Sequence, residues 1–181
     1  MKFLKLFVVL FFLGTLLEAD TGYVYIENGI KLPLKKEGVS IYNGTPLNIL
    51  STDKNSVKVE IEGFLKGKIL YATKNYKLKL AETRMKKKLK KGKEKYKLLI
   101  TIPIKNITDD MEEAWAEGSD LFYDKCTKCH HAKVIGKHTM QEWDVLFNSM
   151  KPKAKVSKDE SSQIVRFLRA FSKDGILKES D

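Results

Sequence analysis

The chain is poor in the residues that several architectures require. Its 181 residues include two cysteines, Cys126 and Cys129, which excludes a scaffold held by several disulfides. Four prolines and 11 glycines leave no room for a long low-complexity linker. Acidic residues are in the minority, 23 Asp and Glu against 34 Lys and Arg, for a formal net charge of +11. A surplus of that sign suits nucleic acid, an anionic membrane surface or an acidic protein. Apolar residues are not scarce. A composition of 43 % hydrophobic and 31 % charged is that of an ordinary globular protein, which rules out a disordered or fibrous chain. The length allows one or two small domains.

Residues 1–19 carry their own pattern. Lys2 and Lys5 precede the apolar stretch Leu6–Leu17, interrupted only by Gly14 and Thr15, and Ala19 can stand just before a cleavage point. The stretch is shorter than the roughly 20 apolar residues that span a bilayer. It is therefore expected to be a secretory signal peptide. An uncleaved membrane anchor is the alternative, because Leu17 stands where a small residue is usual. Export to the periplasm argues against nucleic acid as a partner and puts both cysteines in an oxidising compartment.

Two halves follow, with different periods. Tyr23–Ile26, Pro46–Leu50, Ser56–Ile61, Lys68–Tyr71 and Leu98–Ile104 are short β-rich runs, and Ser56–Ile61 alternates so that Val57, Val59 and Ile61 share a face. Asn43-Gly44, Glu62-Gly63 and Lys66-Gly67 read as turns between them. Short, closely spaced strands predict a small all-β barrel. From Thr108 the period is helical. Asp109-Asp110 can cap a helix running to about Lys125, with Glu112 and Glu113 at its positive end. Thr139-x-x-Glu142 and Ser157-x-x-Glu160 are capping boxes that open two further helices, separated by Pro152. Three helices in about 70 residues bury too little core alone, and a large flat cofactor can supply the rest.

The sharpest signal is Cys126-Thr127-Lys128-Cys129-His130. C-x-x-C-H is the c-type haem attachment signature. Two thiols three residues apart reach the two vinyl groups of one haem, and the histidine after the second thiol becomes the proximal iron ligand. A structural disulfide, a thioredoxin-like dithiol and half a zinc site compete with it. The first is the bland reading for an exported protein, the second lacks a βαβ pattern, and the third lacks a second cysteine pair. The sixth iron ligand has four candidates: Met150, His138, Met140 and His131. His131 adjoins the proximal ligand and cannot reach the opposite face. Met140 lies in a first helical turn. Met150 ends its helix just before Lys151-Pro152, where the chain turns back, and is the expected ligand, with His138 as the alternative. Neither a distal acid–base pair nor any other catalytic residue is legible, so an electron carrier rather than an enzyme is expected.

Resemblances sharpen this picture. Gly44–Ile69 resembles the bacterial SH3-like fold, in which a turn glycine precedes an alternating strand. Gly118-x-x-Leu121-Phe122-x-x-x-Cys126 resembles the helix before the haem in the cytochrome c family, which implies that Gly118 meets the helix bearing Phe167 and Leu168. Trp115, Leu121, Phe122, Cys126, Cys129, His130, Gln141, Trp143, Met150 and Pro152 together resemble the C-terminal monohaem part of the pentahaem cytochromes that serve periplasmic trimethylamine N-oxide reductase. That likeness implies an α+β chain: a small SH3-like β-barrel over residues 20–82, a basic β segment or linker over 83–107, and a short all-α cytochrome c-type haem domain over 108–181. It implies one covalent haem c, a periplasmic molybdopterin oxidoreductase of S- or N-oxides as acceptor, and a quinol-oxidising cytochrome or complex as donor. The departure is large, because those proteins carry an additional tetrahaem part and this chain has a single C-x-x-C-H.

Charge is uneven. Residues 20–108 carry 20 basic groups against 8 acidic, and Arg84–Lys97 holds nine basic residues with a single Glu94. This stretch is either a solvated hairpin tip or a docking arm for an acidic reductase or an anionic membrane surface. Residues 125–158 contain eight lysines, which can steer a carrier onto acidic partners. Two other functions compete: a haem sensor or haem enzyme with an open sixth iron position, and an SH3-like adhesion module with one disulfide.

Overall fold

A computed structural model describes residues 21–178 apart from 28, 85–87 and 132. The expected signal peptide lies outside the described residues. Among the described residues the strands are β1 (Thr21–Val24), β2 (Lys31–Leu34), β3 (Val39–Tyr42), β4 (Pro46–Thr52), β5 (Ser56–Lys66), β6 (Ile69–Tyr71), β7 (Lys79–Thr83), β8 (Leu89–Lys91), β9 (Tyr96–Pro103) and β10 (Ile107–Thr108). The helices are α1 (Met111–Cys126), α2 (Met140–Met150) and α3 (Lys158–Phe171). No helix of the described residues is long and apolar enough to cross a membrane.

The ten strands form one antiparallel sheet in the order β10-β1-β4-β5-β6-β7-β3-β2, with β9 added along β5 and β8 along β9. β5 is its spine. Val57, Val59 and Ile61 point into the core while Lys58 faces outward, as the alternation requires. Its first eight residues, Ser56–Gly63, pair with β9, and its last three, Phe64–Lys66, pair with β6. The change of partner falls at Gly63, where a Cβ would run into the Tyr71 carbonyl oxygen, so only glycine lets the sheet curl there.

This architecture corrects the expected fold. Neither a closed SH3-like barrel nor a separate all-α haem domain forms. The β part is an open, curled ten-stranded sheet, a half-barrel that runs on through residue 108, and it dominates the molecule. β2, β3, β7, β8 and β10 are two to five residues long, too short for alternation to stand out. The basic stretch supplies β8 and the start of β9. The helices, in turn, close their core on the sheet. Buried Leu78 belongs to their apolar cluster, with Tyr23 and Ala72 packed on it. Three helices fall short of a self-sufficient core, and the sheet supplies the missing apolar surface.

Local signals set the helices. The Asp110 side chain accepts from the Glu112 and Glu113 amides at 2.8 and 3.3 Å, and both capping boxes, Thr139 with Glu142 and Ser157 with Glu160, are complete. Gly118 lies against α3: a Cβ there would stand 2.8 Å from Phe167 Cβ. α3 also sends Arg166, 8 % exposed, into the seam with the sheet. Its guanidinium donates to the Asn43 carbonyl at 2.7 Å, to the Lys79 carbonyl and to Thr45 Oγ1, and lies 5.1 and 5.3 Å from the ring centroids of Tyr42 and Trp115. No carboxylate faces it within salt-bridge distance among the described residues, and burial lowers its pKa to about 9.

Candidate haem site

α1 ends at Cys126, where Thr127 turns the chain by donating its hydroxyl to the Tyr123 carbonyl at 2.6 Å. Cys126 is half-buried, and burial pushes its thiol pKa up; Cys129 is exposed. The two thiols are unpaired. His130 follows on the same loop, with Nδ1 2.8 Å from the His131 carbonyl oxygen. A carbonyl only accepts, so Nδ1 carries a proton, and in the neutral ring Nε2 then keeps its lone pair free. That is the tautomer in which an imidazole binds a metal, with the other nitrogen oriented by a backbone acceptor.

Cys126, Cys129 and His130 open onto a cleft of about 310 Å³. Phe122 of α1, Trp143, Leu146 and Phe147 of α2 and Leu168 of α3 give it apolar walls. Met150, 37 % exposed at the end of α2, lines the same cleft, as do Lys125, Lys133 and Lys153. The aromatic walls are braced edge to face, Phe122 on Trp143 at 5.9 Å. Trp143 also fixes the loop that follows the C-x-x-C-H run: its indole N–H donates to the Ile135 carbonyl at 2.9 Å.

The structure thus brings Cys126, Cys129, His130 and Met150 to one cleft and leaves the other candidate ligands elsewhere. The sulfur of Met140 is fully buried and accepts from Asn75 Nδ2 at 3.4 Å. His138 lines a separate groove with Gln141 and Val145, its ring edge-on to Trp143 at 5.2 Å. His131 is exposed and gives its carbonyl to His130. Trp115 sits away from the cleft, against Gly44 and Arg166. Sequence reasoning did not single out Ala154 and Leu168 as cleft residues. Leu168 was legible as part of the helix expected to meet Gly118, not as a wall of the cleft, and nothing local marks Ala154. Among the described residues, no group of three or more His, Cys, Asp or Glu side chains gathers as a metal-binding cluster.

The residues of the cleft fit a c-type haem. Two thiols, an imidazole with a free Nε2 and a thioether converge on an apolar space, which is the donor chemistry of a haem iron and its two covalent anchors. A space of this size with few polar groups also falls in the range of small-molecule sites. No family model, no curated protein and no solved structure matches the chain. The reading of the cleft therefore rests on its own residues.

Proposed function

We propose that this protein is an exported electron carrier that holds one covalent haem c in the cleft of Cys126, Cys129, His130 and Met150. The observation that carries the reading is that Cys126, Cys129, His130 and Met150 line one apolar cleft, with His130 Nδ1 2.8 Å from a backbone carbonyl so that Nε2 is the nitrogen left for a ligand role. Haem, when bound, supplies one-electron exchange between ferric and ferrous iron. Cys126 and Cys129 would hold it covalently, and His130 Nε2 and the Met150 thioether would be the side chains that bind its iron. Phe122, Trp143, Leu146 and Leu168 line the cleft with apolar surface that would keep water from a bound haem. Lys125 is half-committed to Glu160 at 3.0 Å, whereas Lys133 and Lys153 are exposed on the rim and give an acidic partner a charge to meet.

The acceptor we propose is a periplasmic molybdopterin oxidoreductase of S- or N-oxides, with a quinol-oxidising cytochrome or complex as donor. The reading is tested by producing the chain in cells competent in cytochrome maturation. The expected product is red, stays red after denaturation and keeps its colour through a denaturing gel. A colourless product overturns it. Rapid binding of carbon monoxide to the reduced protein would replace the carrier by a sensor or enzyme with an open iron.

A further inference from the structure

A second cleft, of about 420 Å³, opens where α2 and α3 meet the sheet. Six cations line it: Lys77, Lys79, Lys151, Lys158, Arg166 and Arg169. No Asp or Glu is among the lining residues. Asp144 reaches Lys77 at 2.6 Å and Arg169 at 2.9 Å, and Glu82 stands 4.0 Å from Lys79. Among the described residues, Lys151 and Lys158 have no carboxylate within salt-bridge distance, and Arg166 has carbonyls, a hydroxyl and two aromatic rings around it but no carboxylate. Like charges gathered in a recess repel one another, and the low-dielectric walls strengthen the field they make. Apolar Leu78 and Phe147 also line the space, so it offers surface to an organic body as well as charge to an anion.

We propose that this cleft binds a small, multiply charged phosphate compound, such as a diphosphate or a phosphate ester, held chiefly by Lys151 and Lys158. Lysines are compact point charges suited to phosphate oxygens, whereas Arg169 already spends its guanidinium on Asp144 and the Lys77 carbonyl. The charge surplus calls for more than one negative charge, and the volume holds more than a single phosphate group. The site is a recess between helix and sheet, which fits a soluble compound better than a headgroup anchored in a bilayer. The proposal is independent of the haem reading.

Calorimetric titration of the full chain with pyrophosphate at low ionic strength tests it. Lys151→Ala/Lys158→Ala should weaken binding at least tenfold, while Lys90→Ala/Lys91→Ala, on the exposed β8 strand, should change it less than twofold. Unchanged melting temperatures in both variants confirm that each is folded. Failure of pyrophosphate to bind at millimolar concentration overturns the proposal, and so does an equal loss in the two variants, which would mean diffuse charge attraction. Sedimentation with phosphatidylglycerol vesicles, against phosphatidylcholine controls, provides the remaining arm. Retention that depends on Lys151 and Lys158 and resists pyrophosphate would transfer the site to a lipid surface and overturn the assignment.

Discussion

His130 and Met150 differ in how far the sequence reveals them. The C-x-x-C-H run is legible because the covalent attachment proposed for it requires a local spacing, and a local spacing can be read without the fold. Met150 is legible only through its position before Lys151-Pro152, where the chain must turn; its presence in the cleft of Cys126 depends on how α2 packs. In the haem-loaded protein, Met150→Ala should abolish the sulfur-to-iron absorption band in the near infrared, whereas His138→Ala should leave it intact. Arg166 was not legible at all. An arginine within the stretch from Ile164 to Phe171, which also holds Arg169, reads as a solvated position, and the acceptors of Arg166 on Asn43 and Lys79 lie far away in the chain. Glu160 makes a further residue-scale prediction. The Ser157 amide, then Lys125, then the Ser157 hydroxyl lower its pKa from 4.5 to about 2. The depressed folded-state pKa means its contribution is present above pH 4.5 and lost as pH falls toward 2. Thermal melting of the native chain should fall through that window, and Glu160→Gln should flatten this part of the profile while retaining the capping geometry.

At the scale of elements, the helices were readable and half the strands were not. Capping boxes and an Asp N-cap are short-range chemistry, and Thr139, Ser157 and Asp110 perform those roles. Strands such as Lys31–Leu34 and Lys79–Thr83 owe their existence to neighbours across the sheet, so no local pattern announces them. Glu62-Gly63, read as a turn, lies inside β5 because the glycine relieves a close approach rather than reversing the chain. The meeting of α1 and α3 gives the test. Gly118→Ala gains up to about 1 kcal/mol of helix propensity. It also drives a methyl to 2.8 Å of Phe167 Cβ, and overpacking of that kind costs about 1–3 kcal/mol. The clash should prevail, lowering the urea midpoint, with a larger loss for Gly118→Val.

The whole molecule is joined through Arg166 and Leu78. Replacing Arg166 with Met removes a buried charge but strips donors from two carbonyls, each costing about 1–3 kcal/mol if left unpaired. A net loss of about 2 kcal/mol is expected, read from chemical unfolding followed by circular dichroism and by tyrosine fluorescence. In the native chain the two probes should give coincident transitions; in the variant the helical signal should fade first. A further consequence concerns how such a chain can be rearranged. A piece cut near residue 109 and transplanted onto another carrier would arrive with a bald apolar flank and a stranded guanidinium. The C-x-x-C-H part is therefore no free cassette: evolution or an engineer must inherit it together with the curled sheet that props it up.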